Sequence, residues 1–221
     1  MKKLILIILL LLPLQTFALS VGIVSDIHAG KQKARKTDVS TVYPSRAVSY
    51  FEKAVKAMKG VDVIVVLGDN TQEGGAKYYK QLKKVENKYK IKVLWVRGNH
   101  DSNDFKYVSN KTNYYVDFND IRIVVLDTNF ANSSGNGRIS PEGLRVFNEA
   151  IQTEKKIIVA MHHPPMNKAT RKCDWNPEYD WVKDADFILS GHWHSEVNCG
   201  QVKVFPALTE KKRLTYRIIN L

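Results

Sequence analysis

The sequence is poor in cysteine, since its 221 residues include only Cys173 and Cys199. Two cysteines exclude a disulfide-dense scaffold, and a chain of this length can bury a core without such crosslinks. In an oxidising compartment the two residues could form one disulfide. We expect a Cys173–Cys199 bridge there, with two unpaired buried thiols as the alternative.

Acidic residues are also scarce, since 22 Asp and Glu stand against 34 Lys and Arg, which gives a net charge of +12. The lysines are scattered along the chain rather than grouped in blocks. This pattern indicates a well-solvated basic surface, and the alternative is attraction to anionic partners such as phosphates, nucleic acid or an anionic membrane. Hydrophobic residues make up 44% of the chain, as is ordinary for a soluble globular protein.

The longest apolar run lies at the start of the sequence and is short for a membrane span. Two lysines precede this run over residues 4–14, and Ala18 follows at a position suited to cleavage. The arrangement predicts a signal peptide over 1–18, export to the periplasm or the medium, and a mature domain over 19–221 without a stable membrane span. An uncleaved membrane anchor is the alternative. No cysteine follows the apolar run, so a lipoprotein anchor is not indicated.

The sequence has no internal repeat, low-complexity tract or clear domain boundary, and strand-like and helix-like segments alternate along it. The alternation predicts an α/β architecture, and a late group of strands without helices adds antiparallel sheet. Apolar runs predict strands over 19–30, 61–70, 91–101, 113–118, 121–127, 155–165 and 184–194, and two more between 202 and 221. Helical spacing predicts helices over 47–58 and 79–89, and a third capped by Ser140 with Leu144, Phe147 and Ile151 on its buried face. Loops are expected over 30–45 and 129–140, and a loop with a short helix over 166–185.

Side chains that commonly bind metals follow the ends of five of these strands. Because ligand sites in α/β sheets gather at the carboxyl ends of strands, residues far apart in sequence are expected to share one site there. The last pair, His192 and His194, should face one side because alternate residues of a strand do so. All six histidines of the chain lie in these segments. The segments are SDIH with Asp26 and His28, LGDN with Asp69, GNHD with Asn99, His100 and Asp101, MHHPP with His162 and His163, and GHWH with His192 and His194.

This ordered set of five motifs resembles the calcineurin-like metallophosphoesterase superfamily, which includes purple acid phosphatases and bacterial cyclic-nucleotide phosphodiesterases. The resemblance extends over nearly the whole mature chain. It implies a four-layer α/β/β/α sandwich with mixed sheets.

The resemblance also implies a centre of two divalent metal ions with Asp69 as the bridging ligand. His163 would then point away from the metals, and Trp193 would pack in the core. Nitrogen and oxygen ligands without a thiolate suit manganese, iron, cobalt or zinc, and do not choose among them. One ion would be held by Asp26, His28, Asp69 and His194, and the other by Asp69, Asn99, His162 and His192.

By the same resemblance, a hydroxide held between the two ions would attack the phosphorus of a phosphomonoester or a small phosphodiester. His100 would stabilise the developing charge or protonate the leaving oxygen. Asp101 follows His100 directly, and from this adjacency we expect its carboxylate to orient the ring. Two loops could wall the pocket, one over 168–181 with Arg171 and Lys172 meeting phosphate, and one over 129–138. The alternatives are a nuclease of the same superfamily and, from another class, a non-catalytic scaffold. The sequence carries no signal for an oligomeric state.

Overall fold

A computed structural model describes residues 18–37, 40–132, 135–167, 169–210 and 213–221 of the chain. Apart from Ala18, the predicted signal peptide lies outside these residues. No helix in this described part of the chain is long and apolar enough to cross a membrane.

The order of elements follows the predicted alternation of strands and helices. Three α-helices are present: α1 (Pro44–Ala57), α2 (Ala76–Tyr89) and α3 (Pro141–Ala150), with short 3-10 helices over Asn103–Tyr107, Phe130–Asn132 and Pro177–Val182. The strands are β1 (Ser20–Val24), β2 (Arg35–Lys36), β3 (Thr41–Val42), β4 (Val63–Val66), β5 (Val93–Trp95), β6 (Tyr114–Phe118), β7 (Ile121–Leu126), β8 (Lys156–Met161), β9 (Phe187–Ser190), β10 (Val197–Cys199), β11 (Val202–Val204), β12 (Thr209–Glu210), β13 (Arg213–Leu214) and β14 (Arg217–Asn220).

Two mixed sheets carry the fold. One has four strands in the order β14-β1-β4-β5, and the other has six in the order β10-β11-β9-β8-β7-β6. Within them β1, β4 and β5 are parallel, as are β7, β8, β9 and β11, while β14, β6 and β10 add antiparallel edges. Parallel pairing brings the segments after β1, β4 and β5 to one end of the first sheet, and those after β8 and β9 to one end of the second.

The hydrophobic core has three parts, which define four layers. The first part packs α1 and α2 on the outer face of the four-stranded sheet, through residues such as Phe51, Leu82 and Trp95. The second lies between the two sheets, where Val65 of β4 and Ile158 of β8 belong to one apolar cluster. The third packs α3 and the 3-10 helix Pro177–Val182 on the outer face of the six-stranded sheet. The predicted α/β/β/α sandwich is thereby confirmed.

Three local expectations need correction. The buried face of α3 consists of Gly143, Val146, Phe147 and Ala150, whereas Leu144 and Ile151 are only half-buried. The stretch from 202 to 221 contains four strands rather than two, because a short β12–β13 hairpin interrupts it. The segment over 30–45 is also more than a loop, since it contains the β2–β3 hairpin. The cap of α3 is as predicted, with the Ser140 hydroxyl accepting from the backbone nitrogen of Gly143 at 3.0 Å.

Candidate dinuclear metal centre

Five of the seven residues expected to bind metal have a left-handed backbone. Residues with a Cβ rarely adopt this region, and such strain gathers at functional sites. The expectation that His192 and His194 face one side of a strand is wrong, because β9 ends at Ser190 and both histidines lie in the turn after it. The φ angles are 49° at Asp26, 52° at His28, 49° at Asp69, 67° at His192 and 52° at His194.

Two glycines let these turns approach one another. A Cβ at Gly98 would collide with the backbone nitrogen of Asp69, and a Cβ at Gly191 would collide with the hydroxyl of Ser25 and the carboxylate of Asp26. Any larger residue at either position would therefore displace a candidate ligand carboxylate. This explains why glycine precedes the ligands in GNHD and GHWH.

The first cluster of ligand atoms contains two histidines and two aspartates. Nε2 of His28 lies 3.0 Å from Nε2 of His194 and 3.6 Å from Oδ2 of Asp69. Nε2 of His194 lies 3.2 Å from Oδ1 of Asp26. All four residues are buried, and their ligand atoms lie within 4.8 Å of one another.

The β2–β3 hairpin fixes the orientation of the His194 ring. The hydroxyl of Thr37 donates to the carbonyl oxygen of Ser40 at 3.1 Å, and the backbone nitrogen of Ser40 donates back to that hydroxyl at 3.0 Å. The Ser40 hydroxyl can then donate to Thr37 Oγ1 at 3.0 Å and accept from Nδ1 of His194 at 2.9 Å. This network satisfies each hydroxyl and turns Nε2 of His194 toward the cluster.

The second cluster is centred on His162. Its Nε2 atom lies 3.1 Å from Oδ1 of Asn99, 3.2 Å from Nδ1 of His192 and 3.4 Å from Oδ2 of Asp69. Asp69 Oδ2 therefore lies between the two clusters and is within 3.6 Å of a histidine nitrogen in each. This is the placement expected of a bridging carboxylate.

The ring orientations of the second cluster show what it can hold. Nδ1 of His162 donates to the carbonyl oxygen of Leu67 at 2.8 Å, and Nε2 of His192 donates to the carbonyl oxygen of Gly135 at 3.1 Å, because a carbonyl can only accept. Burial alone would lower the pKa of His162, but the Asp69 charge outweighs burial and raises this pKa to about 9, so Nε2 of His162 presents a lone pair only after a bound metal displaces its proton. Nε2 of His162 and Nδ1 of His192 then form a group of four acceptors with the Asn99 and Asp69 oxygens. A cation satisfies such a group, so the residues present fit the two metal ions that the motifs imply.

The protonation states of the candidate ligands bear on metal binding. Burial alone would raise the pKa of Asp69, but the neighbouring His162 holds it well below its usual value. The pKa of Asp26 is also lowered, because His194 outweighs the effect of burial. Burial lowers the pKa of His28 to about 3. At neutral pH the carboxylates are therefore charged and His28 is neutral, which are the forms that coordinate metals. Burial lowers the pKa values of His162 and His194, but the neighbouring Asp69 and Asp26 charges raise them above the usual value, so metal binding must displace a proton from these rings.

His100 lies beside the clusters and is held by Gln72. Its backbone nitrogen donates to Oδ1 of Asp69 at 2.8 Å, and its ring lies 5.1 Å from that of His28 between centroids. Nδ1 of His100 is 3.2 Å from the carbonyl oxygen of Gln72 and 3.2 Å from its side-chain amide nitrogen. Nδ1 is thereby occupied, which leaves Nε2 as the ring nitrogen for a substrate.

Asp101 does not orient His100, contrary to expectation. Its carboxylate accepts from the backbone nitrogens of Gly98, Asn70 and Thr71 at 2.9–3.2 Å and from the Tyr79 hydroxyl at 2.8 Å. Burial and the nearby Asp69 charge raise its pKa, although these donors oppose that shift. Asp101 therefore fixes the GNHD turn against the turn after β4. Gln72 orients His100 instead, and no spacing or periodicity in the sequence indicated this residue.

The two remaining motif residues are His163 and Trp193. The expectation that His163 points away from the metals needs correction, because one of its ring nitrogens lies within 4.8 Å of ring nitrogens of His162 and His192. Nδ1 of His163 forms a hydrogen bond of 2.8 Å with the Thr128 hydroxyl, and its ring lies 4.4 Å from that of His192 between centroids. His163 therefore supports the ring of His192 from the side of the 129–138 loop. Trp193 is buried in the core of the six-stranded sheet, as expected.

A cavity of about 280 Å³ opens on both clusters, and two segments bring cations to it. Arg171 lines the cavity, whereas the neighbouring Lys172 is exposed and is not part of the lining. The β2–β3 hairpin contributes Arg35, Lys36 and Thr37, none of which was anticipated. The basic run KQKARK over 31–36, directly after the first motif, was the signal that could have found them.

The expected disulfide is confirmed. Cys173 and Cys199 are bonded, with their Cα atoms 5.3 Å apart. The bond joins the segment that contains Arg171 to β10, which follows the GHWH turn. It therefore attaches one wall of the cavity to the element beside the metal ligands.

Several known proteins are similar to this chain in sequence. The calcineurin-like phosphoesterase family matches residues 19–196. A probable cyclic nucleotide phosphodiesterase of Fibrobacter succinogenes is 24% identical over 199 residues, which cover 81% of this chain and 74% of that protein. The 3',5'-cyclic adenosine monophosphate phosphodiesterase CpdA of Pseudomonas aeruginosa is 24% identical over 78% of this chain and 68% of its own length.

Solved structures share the fold. A dimetal phosphatase from Danio rerio superposes with a TM-score of 0.69 at 13% identity, over 92% of this chain and 93% of that one. A purple acid phosphatase from yellow lupin gives a TM-score of 0.54 at 12% identity, over 83% of this chain and 40% of that one. The sandwich is therefore an arrangement found in phosphatases of very different sequence.

Proposed function

Because the chain belongs to the calcineurin-like phosphoesterase family of metal-dependent phosphoric ester hydrolases, we propose that it hydrolyses small phosphate esters, phosphodiesters before monoesters, outside the cytoplasm. The observation that carries the proposal is the pair of ligand clusters that share Asp69 at the base of a cavity. Two metal ions at such a centre would supply Lewis acidity and an activated water for an in-line displacement.

The chain's own residues would perform the remaining tasks. The buried rings of His162, His192 and His194 fix the geometry of the site, because each has a second hydrogen bond that sets its orientation. His100 presents Nε2 toward the cavity and would donate a proton to the leaving oxygen. Arg35 and Arg171 would bind the oxygens of the anionic substrate.

The size of the cavity supports a small substrate. Its volume of about 280 Å³ lies just below the range typical of ligand pockets, roughly 300–1,000 Å³. A nuclease needs a positive groove that follows several phosphates, and its binding weakens steeply with salt. The names of the curated relatives, which are cyclic nucleotide phosphodiesterases, support a diester over a monoester.

The test compares two chromogenic esters on one metal-reconstituted preparation. We expect a larger kcat/KM for bis(p-nitrophenyl) phosphate than for p-nitrophenyl phosphate, with manganese, iron, cobalt and zinc assayed separately. A His192→Ala variant should be inactive on both esters. Rapid cleavage of single-stranded DNA with neither ester hydrolysed would favour the nuclease, and no hydrolysis with any metal would contradict the proposal.

Export is supported by two features. Leu19 is buried and pairs with Leu221 through hydrogen bonds of 3.2 and 3.0 Å, whereas Ala18 is exposed. Among the described residues, the expected cleavage point thus lies between an exposed residue and a buried one. The disulfide is also of the kind that persists in oxidising compartments.

A further inference from the structure

The outer helical layer of the four-stranded sheet, made of α1 and α2, carries nearly all the net charge of residues 19–221. Residues 44–59 and 76–92, which contain these helices, include 11 Lys and Arg and only two Glu. The rest of residues 19–221 is almost neutral, with 21 Lys and Arg against 20 Asp and Glu. Lysines that are scattered along the sequence are thus concentrated on one layer of the fold.

Cations and acids on this layer differ in their exposure to solvent. Both helices are described throughout, and none of their 11 exposed residues is acidic. The two glutamates are half-buried and paired within the layer, since Glu52 accepts from Nζ of Lys88 at 2.5 Å and Glu86 accepts from Nζ of Lys83 at 2.8 Å. We define the basic face as the seven exposed cations of the two helices, which are Arg46, Lys53, Lys56, Lys77, Lys80, Lys84 and Lys88.

The topology places these cations on one broad surface. The helix α1 joins β1 to β4 and α2 joins β4 to β5, so both cross over between neighbouring parallel strands and run side by side in the same direction. Each has 14 residues and is therefore about 21 Å long. The bond from Lys88 of α2 to Glu52 of α1 joins the two helices directly. Along α2 the lysines at 77, 80, 84 and 88 are three or four residues apart, a spacing at which like charges repel, and an anionic partner would relieve this repulsion.

The opposite outer layer has the opposite charge. The exposed charged residues of α3 and of the 3-10 helix Pro177–Val182 are four acids and one cation, namely Glu142, Glu149, Glu178, Asp180 and Arg145. A surface that serves solubility alone intersperses both signs. A molecule with one cationic and one acidic outer layer is instead oriented by an anionic surface, with the basic face toward it.

An exposed aromatic ring beside the basic face favours lipid over nucleic acid. Tyr107, 37% exposed, ends the 3-10 helix Asn103–Tyr107 that packs against α2. Nζ of Lys80 lies 4.6 Å from the centroid of this ring, and Nζ of Lys106 lies 5.7 Å from it. Tyrosine and long lysine stems suit a lipid–water interface, whereas a stacking nucleobase needs the ring face that Lys80 covers. Six of the seven cations are also lysines, and arginine is the residue whose guanidinium recognises nucleic acid in bidentate fashion.

We propose that the basic face docks on the surface of an anionic phospholipid bilayer. The metal-ligand turns follow the carboxyl ends of the strands, whereas the basic face covers the outer side of the sheet, so the docked protein keeps its cavity open. The contact is electrostatic and is therefore reversible and released by salt, which screens charges beyond about 8 Å at physiological ionic strength. This inference does not depend on the proposed hydrolysis, because it concerns a different surface.

Vesicle flotation tests the docking. The protein used is the metal-reconstituted chain from Leu19 onward, which contains every described strand and helix and lacks the apolar run over 4–14. We expect it to bind vesicles of equimolar phosphatidylcholine and phosphatidylglycerol at low ionic strength, to bind phosphatidylcholine vesicles hardly at all, and to dissociate when salt is added. The triple variant Lys53→Gln/Lys56→Gln/Lys84→Gln should lower the partition coefficient by about 10²-fold, because each lysine near an anionic surface contributes about fivefold.

The matched control is Arg145→Gln/Lys172→Gln/Lys183→Gln, which removes three exposed cations from outside the basic face. It should change the partition coefficient far less, and both triple variants should melt at the wild-type temperature. Equal losses in the two variants would assign the binding to net charge and overturn the face. No binding to the mixed vesicles at low ionic strength would also overturn it. Anisotropy of labelled single- and double-stranded oligonucleotides covers the other class of partner: binding that needs these three lysines, without binding to vesicles, would assign the face to nucleic acid and overturn the bilayer.

Discussion

At the scale of single residues, backbone strain is concentrated at the candidate metal ligands. Nine non-glycine residues in the described part of the chain have a positive φ, and five of them are candidate metal ligands. Each such backbone conformation costs about 1–3 kcal/mol of folding free energy, and it persists only where the surrounding structure enforces it. Metal binding is the interaction that can repay this cost, because it requires all these side chains to converge.

Asp69 carries the prediction that tests the bridge. Asp69→Asn keeps the shape of the side chain but removes the charge that two cations share, so we expect metal content to fall from about two ions per chain to one or fewer, as a two-metal centre requires. Inductively coupled plasma mass spectrometry on the dialysed protein measures this content. Turnover on bis(p-nitrophenyl) phosphate should fall with it.

The control for Asp69 is Asp117→Asn, which removes a carboxylate of the β6–β7 hairpin. This variant should retain both ions and wild-type turnover. Two tightly bound ions in Asp69→Asn would show that Asp69 does not bridge.

His100 carries a prediction about proton transfer. His100→Ala should leave metal content near that of the wild type, because the ring bonds Gln72 rather than a ligand atom of either cluster. Turnover should fall by about 10²–10⁴-fold, the usual contribution of a general acid. The loss should be larger for esters with an alkoxide leaving group than for nitrophenyl esters, since nitrophenolate needs little protonation.

Two outcomes would contradict this role for His100. Loss of one metal ion from the variant would make His100 a ligand. Full turnover on alkyl esters with both metals retained would make it a bystander. Gln72→Ala should give a smaller loss in the same direction, because it only positions the ring.

At the scale of elements, strands and helices follow from the sequence, and the turns between them do not. The apolar run VIVV predicts β4, and all four of its residues are buried. Apolar residues at helical spacing, such as Ala47 and Phe51, predict α1. The reversal at His192 has no such local signal, because only tertiary contacts hold its backbone in the left-handed region. The motif residues could be identified from the sequence. The orientation of their side chains could not, because it depends on contacts with residues elsewhere in the chain.

The supporting residues show the same limit. Ser40 and Gln72 orient His194 and His100 through hydrogen bonds between distant segments. Neither residue has a spacing or periodicity that distinguishes it from surface serines and glutamines. Asp101 shows the opposite error. Its position next to His100 predicted that its carboxylate orients that ring, whereas the carboxylate accepts hydrogen bonds from other groups, such as the Tyr79 hydroxyl and the Gly98 nitrogen.

The β6–β7 hairpin provides a prediction about pH. Asp117 accepts from Nε and a terminal nitrogen of Arg122 at 2.7 and 2.9 Å, and these bonds lower its pKa from 3.8 to about 2. A lowered pKa in the folded state means that the pair adds stability above the unfolded pKa and loses it as the pH falls from 3.8 to about 2. Because the carboxylate is exposed to solvent, we expect at most about 1 kcal/mol at neutral pH.

Urea unfolding of the wild type and Asp117→Asn, both in chelator, measures this contribution. The difference in unfolding free energy should be largest near neutral pH and should shrink as the pH approaches 2. Glu154→Gln is the control, since this exposed carboxylate forms no ion pair within the described part of the chain. A difference between wild type and Asp117→Asn that stays constant with pH would assign the effect to packing instead.

At the scale of the whole molecule, two sheets place their ligands on one cavity. The four-stranded sheet supplies Asp26, His28, Asp69 and Asn99, and the six-stranded sheet supplies His162, His192 and His194. Neither sheet holds a complete cluster, so the core between the sheets determines the distance between the ligands. The sequence order of the motifs predicted this convergence because each motif follows a strand, while the cationic segments around the cavity required the three-dimensional structure.

The last prediction concerns where the protein acts. Expressed from residue 1 in a Gram-negative bacterial host, the chain should be released by osmotic shock with Leu19 as its first residue, because the apolar run over 4–14 is predicted to be a signal peptide and Ala18 suits cleavage. Its two cysteines should resist alkylation before reduction, because the bridge forms in the oxidising compartment. N-terminal sequencing and a gel-shift alkylation assay measure these properties. Ile8→Arg, which interrupts the apolar run, should keep the chain in the cytoplasm with reactive thiols. Recovery of an uncleaved chain in the membrane fraction would instead identify an anchor, and wild-type protein found only in the cytoplasm would contradict export.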